Sequence, residues 1–468
     1  MCILKFMLFY CVICIFFSCS SLHKEQLENA LSFATFNRLE LEKVLKHYEH
    51  DSLKLEAAKF LIRNMPHCYS YQQGGEMDSV KRVRTYYSPF GQIDQTYARR
   101  WGHYTYRNLL KIYDAHIITA EYLIDNIDRA FDNWQKRPWN RSLSFEDFCE
   151  HLLPYRIGDE PLEEWRELYE KKYGYLLDSI YKGSDVVEAA NLVSRHLQEP
   201  VFIYCEDFEL PHIGPRYLFS HRYGSCVDAA DIVTYAFRAV GIPCMEDTDA
   251  RGGHVWNVVR DTTGRDVPIW YIASEAVRGS RDTGGYKRGK VYRPMYGFQE
   301  EKAAHLGDDW KSMPLLFYHP YMKDVSYAYY PDTLRILTGI PDDEVCYLAH
   351  FHEAHWWSCA CARSASGQME IPNLESELVY LPMKYTKGNY YPSGFPFWFA
   401  GGEINMFLPD WEKTVKVRLY RKYPVYGWLR SFMGHVVGGT FEGSMTKDFE
   451  DGKTLYEIAD TPVIARNR

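Results

Sequence analysis

The stretch from Tyr223 to Pro243, "YGSCVDAADIVTYAFRAVGIP", constrains the fold more than any other part of the chain. Ala229, Ile232, Val233, Ala236, Phe237 and Val240 recur at the three- and four-residue spacing that puts apolar side chains on one helix face. Both ends carry signals. Ser225, with Asp228 three residues on, makes a Ser-x-x-Asp start in which Glu or Gln is commoner, and Gly241 with Pro243 supplies the stop. A helix is expected from about Cys226 to Val240. Behind it, "RGGHVWNVVRDTTGRDVPIWYIASEA" reads as a β-hairpin. His254, Trp256 and Val258 fall on one face, Thr262-Thr263-Gly264-Arg265 makes the turn, and "DVPIWYIA" returns.

Ahead of this stretch, from Ser21 to about Gln198, the pattern is helical. "LENALSFATFNRLELEKVLKHY" and "DSLKLEAAKFLIRNMP" carry the helical period, the second stopping at Pro66, and "LLKIYDAHIITAEYLIDNIDRAFDNW" is another long amphipathic run. "SFEDFCEHLLPYRIGDEPLEEWRELYEKKYGYLLDSIY" predicts two helices, broken at Pro154 and restarted after Asp159-Glu160 with Pro161 in the first turn. Past Ser326 the texture turns to strands, in "EVCYLAHFHE", "ELVYLPMKYT", "GNYYPSGFPFWFAG" and "TVKVRLYRKYP". The 468 residues exceed one ordinary domain. The order predicts an α+β protein: an α-helical N-terminal domain over 19–200, a mixed core over 201–310 and a β-rich, sandwich-like region over 320–468. A net charge of −8 and the absence of a long Lys/Arg run exclude nucleic acid as a main partner, because phosphate binding needs a basic field.

The first residues, "MCILKFMLFYCVICIFFSCSSLHKEQ", read as a targeting segment: Lys5 is a short basic region and Phe6 to Phe17 an apolar run too short to span a bilayer. "FFSCSS" resembles, in loosened form, the lipobox of bacterial lipoproteins. That resemblance implies a signal peptide over 1–18, lipidation at Cys19 and a chain tethered to the cell envelope at the outer membrane. Of the remaining cysteines, an odd number is left if Cys226 stays reduced, so mostly free, buried thiols are expected.

Cys226 falls at the first helical position, where unpaired N–H groups and the positive end of the helix dipole favour thiolate over thiol. His254 opens a strand after Gly252-Gly253, where a thiol nucleophile would need its base and later its acid. "GSC" opening a helix, "RAVGIP" ending it and then "GGHVWNVV" resemble the core of the transglutaminase-like (papain-related) superfamily. The wider chain resembles the exported transglutaminase-like lipoproteins of Bacteroidetes. The resemblance implies a transglutaminase-like core with Cys226 as nucleophile and His254 as base, and an acid on the next strand to orient the imidazole. The family's usual Asp is absent there, and "IWYIASEAV" offers Ser274 and Glu275 instead. A two-residue Thr263-Gly264 loop would set His254 opposite Ala273 and make Glu275 the acid, whereas a three-residue loop would offer Ser274.

The expected catalytic set is Cys226, His254 and Glu275, with no cofactor and no metal. "HFHEAHWWSCAC" groups His350, His352, His355, Cys359 and Cys361 but lacks the spacing of a strong zinc site. The expected activity is amide-bond acyl transfer on peptides or glycopeptides, hydrolysis ahead of cross-linking. The competing expectation is a catalytically silent surface protein that binds glycans or peptides.

Overall fold

The computed structural model describes residues 21–87, 106–204, 210–251, 253–270, 272, 274–280, 287–300, 313–337, 341–352, 355–410, 412–413, 438–446 and 450–457. They group into two compact units. One holds the described chain up to residue 280 together with 291–300 and 318–328; the other holds 287–290, 313–317 and the chain from Tyr329.

The first unit opens with helices: α1 (21–33), α2 (Arg38–His47), α3 (Ser52–Asn64) and α4 (Gly75–Tyr87). Asp51 caps α3 by accepting from the Lys54 N–H at 3.1 Å, and the helix ends just ahead of Pro66, as its sequence predicts. The run beginning at Leu109 is α-helical only over α5 (Ala120–Lys136), with a single 3-10 turn at Asp114–His116 ahead of it. Thr119 caps that helix at Tyr122, and before it β2 (Lys111–Tyr113) pairs with β1 (Tyr69–Tyr71). After α6 (Phe145–His151) the chain does not restart a helix at Pro161; α7 begins at Arg166 and runs to Tyr175. The Glu160 carboxylate accepts from the Ile157 and Gly158 N–H groups at 2.7 Å, and the buried Arg156 guanidinium pairs with Asp114, so the loop's backbone is held open. Leu41, Val44, Leu61, Ile62, Leu123, Ile127 and Phe148 bury one hydrophobic core between these helices.

A second core in the same unit surrounds the central helix. It is built by α7, α8 (Val186–His196), α9 (Pro215–Ser220) and α10 (Cys226–Ala239) with a five-stranded sheet. Two short strands, β3 (Ile203–Tyr204) and β4 (Tyr223–Gly224), pair in parallel just ahead of α10. The sheet contains β5 (Cys244–Asp249), β6 (Val255–Arg260), β7 (Asp266–Ile269), β8 (Val291–Pro294) and β9 (Met322–Asp324), in the order β7-β6-β5-β8-β9. Trp139, Tyr169 and Val193 share this core with Phe237 and Val259. The boundary expected near residue 200 therefore does not divide the fold, because the helices before it supply the wall against which α10 packs.

The second unit is mostly strand. β10 (Asp332–Leu337) pairs with β13 (Gln368–Leu374). β11 (Val345–His352), β12 (His355–Arg363), β14 (Leu378–Thr386), β15 (Asn389–Pro392), β16 (Phe397–Ala400) and β17 (Glu403–Met406) form a six-stranded antiparallel sheet. The strands expected in "EVCYLAHFHE", "ELVYLPMKYT" and "GNYYPSGFPFWFAG" are all present; "TVKVRLYRKYP" lies outside the described residues. Near the end β18 (Thr440–Gly443) pairs with β19 (Lys453–Glu457). The chain is an α+β protein.

Candidate active site

Helix α10 is fixed at both ends. Ser225 is extended, and both its N–H (2.8 Å) and its hydroxyl (3.0 Å) donate to the Asp228 carboxylate, at the helix start its sequence predicts. At the other end Gly241 has φ of +82°, and a side chain there would come within 2.8 Å of Arg137 and the Asn133 carbonyl. The last carbonyls are taken up from outside the helix: Val240 by Arg137 Nε at 2.8 Å, Gly241 by Trp139 Nε1 at 2.9 Å and Asn140 Nδ2 at 3.0 Å. Cys226 stands half-buried at the first helical position.

Strand β5 turns back along the helix and β6 pairs antiparallel to β5, so β6 runs in the same direction as α10. Asn257 fixes their relative height. Its side-chain amide donates to the Ala230 carbonyl at 3.0 Å and to the Thr234 hydroxyl at 2.9 Å. From Asn257 back to His254 is ~10 Å at strand rise, and from midway between Ala230 and Thr234 back to Cys226 is ~9 Å at helix rise. Counted this way, Cys226 and His254 both fall toward the same end of the layer. The imidazole stacks on Trp256, with ring centroids 5.8 Å apart and planes 27° apart, and Trp256 in turn lies against Trp270 at 5.1 Å. Asn257 and Val259 face the helix, while Trp256 and Val258 face away from it. His254 precedes the strand by one residue, and its stack on Trp256 sets the ring with the side chains that face away from α10.

Glu275 is not brought to His254. The hairpin pairs Arg260 with Asp266 and Asn257 with Ile269, and the Asp261 N–H donates to the Arg265 carbonyl at 2.8 Å, so three residues close the loop and the register is the one that favours Ser274 over Glu275. Asp261 stabilises the longer loop by accepting from the Thr263 and Arg265 N–H groups at 2.8 and 3.0 Å around Gly264, whose φ is +77°. The Glu275 side chain is 64% exposed and its carboxylate accepts from Arg195 at 3.3 Å. It faces solvent and α8. Ser274, which the longer loop favours, accepts at its carbonyl from Ser194 Oγ at 3.3 Å. Cys19, Gly252 and Ala273 lie outside the described residues.

Two polar groups beside the site are not evident from spacing alone. On the inner face of the sheet, Thr234 donates to Glu246 at 2.7 Å, and His212 bonds the wholly buried Asp231 through Nδ1 at 2.9 Å. Burial pushes the Glu246 carboxyl up to about 8 and also raises Asp231. Burial works against charge on His212, but the Asp231 carboxylate outweighs it and holds the ring well above its ordinary value. At the end of β5, the buried Asp249 accepts from the Arg251 N–H at 3.0 Å and the Gly253 N–H at 2.9 Å. An Asp ahead of a Gly-rich turn, "DARGG", is the signal that points to such a loop clamp.

The seven described cysteines form no disulfide with one another. Burial pushes Cys68 and Cys244 up to about 12, which suits inert packing and sets them apart from half-buried Cys226. His350 is buried in β11, and His352 pairs with His355 across the β11–β12 turn. Among the described residues no group of three or more His, Cys, Asp or Glu is gathered to hold a metal ion. Comparison with family models, curated proteins and solved structures finds no match for this chain.

Proposed function

We propose that this chain is an exported thiol enzyme of transglutaminase-like type, acting on amide bonds of peptides or glycopeptides. One juxtaposition supports the reading: Cys226 opens a doubly anchored helix, and counting back from Asn257 along β6 brings His254 toward that same end. In the proposed step the Cys226 thiolate adds to the amide carbonyl, forming a C–S bond and an oxyanion that backbone N–H groups of the first helical turn would receive. His254 carries the thiol's proton to the leaving amine as the C–N bond breaks. It then takes a proton from water, whose oxygen attacks the thioester; the C–S bond breaks, releasing the acid and returning the Cys226 thiolate beside the protonated imidazole. Hydrolysis is favoured over cross-linking by the bacterial resemblance. The core around α10 is read as transglutaminase-like and the second unit as sandwich-like.

A second reading, a catalytically silent surface protein that binds glycans or peptides, draws on one observation, the engagement of Glu275 by Arg195 in place of His254. Alkylation of Cys226 by iodoacetamide across pH, together with a peptide and glycopeptide library screened with wild type and Cys226→Ala, separates the two. The enzyme reading expects a depressed alkylation midpoint, lost in His254→Ala, and turnover abolished in Cys226→Ala. An ordinary thiol midpoint of ~8.5 and no turnover would leave the binding reading. We also propose that the chain is held at the outer membrane through a lipid on Cys19. Among the described residues no helix is long and apolar enough to cross a membrane. Cys19→Ala should move the protein from the membrane fraction to the soluble fraction, and a variant that still pellets would refute the anchor.

A further inference from the structure

We infer that Asp249 and Thr248, at the end of β5, are positioning residues that set His254 for its work on Cys226; the inference rests on the Cys–His reading above. The turn between β5 and β6 is tied to one side chain. Asp249 Oδ1 accepts from the Arg251 N–H at 3.0 Å and the Gly253 N–H at 2.9 Å, and Oδ2 takes the Arg251 guanidinium at 3.1 Å. The guanidinium folds back over Gly253, where an added Cβ would lie 3.1 Å from Nη2, so the turn closes over its own clamp. The next residue, His254, is held from the same strand end. Its carbonyl accepts from the Thr248 hydroxyl at 3.0 Å and from the Asp249 N–H at 3.3 Å. The residue before the imidazole and the imidazole's own backbone are thus fixed by two consecutive residues, one 2% and the other 9% exposed.

Such burial gives the clamp its leverage. A carboxylate accepting backbone N–H groups in a water-poor site makes charge-assisted bonds, roughly twice as strong as neutral ones. His254 lies outside the ladder that holds Trp256 and Asn257, so these contacts to its backbone add to the stack of its ring on Trp256. A general base displaced by ~1 Å can lose most of its effect, because proton transfer needs hydrogen-bond distance. Neither side chain bonds the imidazole itself, and both act through the backbone.

The test uses the full chain and reads the pH midpoint of Cys226 alkylation by iodoacetamide, with a thermal melt to establish folding. His254→Ala should raise the midpoint toward that of a free thiol. Asp249→Asn keeps the shape but weakens the acceptor, and should raise the midpoint by about half a pH unit or more. Thr248→Val, which removes the hydroxyl donor, should do the same, and Thr248→Ser should restore the wild-type value. If Asp249→Asn fails to fold, the Thr248→Val and Thr248→Ser pair decides alone. Wild-type midpoints in folded Asp249→Asn and Thr248→Val, beside a shifted His254→Ala, would overturn the positioning role and leave the Cys–His reading standing. An unshifted His254→Ala would overturn both.

Discussion

Thr234 gives its hydroxyl proton to Glu246 and accepts one from Asn257, so a single side chain on α10 joins the carboxyl on β5 to the amide on β6. The arrangement works with Glu246 protonated, because burial pushes its carboxyl up to about 8, with the Asp231 charge adding to the rise. The sign follows from proton counting. Between the ordinary glutamate value and about 8, the unfolded chain has released this proton and the folded chain retains it, so stability falls as pH rises through that window. His212 acts in the same direction, since a ring held above its ordinary value stabilises the fold at low pH and loses that contribution on the way up. Glu246→Gln keeps an acceptor for Thr234 and removes the titration, leaving Asp231, His212 and Arg238 in place. Between pH 5 and pH 8 this variant should gain on wild type by about 1 kcal/mol or more, the order of one pH unit of differential proton binding. Urea unfolding of both proteins at the two pH values measures it, and parallel pH profiles would contradict the assignment. Glu275, by contrast, lies in an exposed pair of the kind worth at most about 1 kcal/mol, which is why no comparable effect is expected from it.

At the scale of elements, α10 is legible in the sequence because three independent signals agree on it: the apolar period, the Ser225–Asp228 start and the Gly241 stop. The hairpin is legible as a hairpin but not in its register. Thr262-Thr263-Gly264 suits a two-residue or a three-residue loop, and the choice is made by the Asp261 side chain, a local contact that alternation does not encode. One residue of slip is enough to exchange Glu275 for Ser274 on the His254 side. The late start of α7 has a similar cause. Pro161 is an apt first-turn residue, yet Glu160 spends its carboxylate on the two N–H groups behind it and keeps the loop open. Least legible are the buried charges. Arg293 is 2% exposed and pairs with Asp247 at 2.6 Å and with Asp266 at 2.8 Å across the sheet, although a strand carrying Arg reads as an edge or a surface. The partners lie 46 and 27 positions away, separations at which spacing carries no information.

The whole molecule does not divide at one point along the chain. Residues 287–290 belong to the β-rich unit, although the strand that follows them, β8, belongs to the first. Hydrogen bonds tie this short segment to β13 and the turn after it. The Glu375 carboxylate accepts from the Arg288 and Gly289 N–H groups at 2.6 and 2.9 Å, its own N–H donates to the Gly289 carbonyl at 3.0 Å, and Lys290 Nζ donates to the Pro372 carbonyl at 2.7 Å. Arg288 and Lys290 are buried there, 1% and 3% exposed. A chain cut after residue 328 keeps every strand of the five-stranded sheet but loses Pro372 and Glu375. The buried Lys290 ammonium and two backbone N–H groups would then lack these acceptors, a loss costing about 1–3 kcal/mol for each group left unsatisfied. The segment should open to solvent, and its basic residues are trypsin sites. In the fragment 21–328 trypsin should cut after Lys287, Arg288 or Lys290 within minutes, at positions the full chain protects, because proteolysis tracks the population of the open form. Mass spectrometry of the early digest distinguishes the outcomes. Equal protection in fragment and full chain would mean that the first unit holds residues 287–290 by itself, and that the β-rich unit can be removed without disturbing β8 or the strands that carry Asp249 and His254.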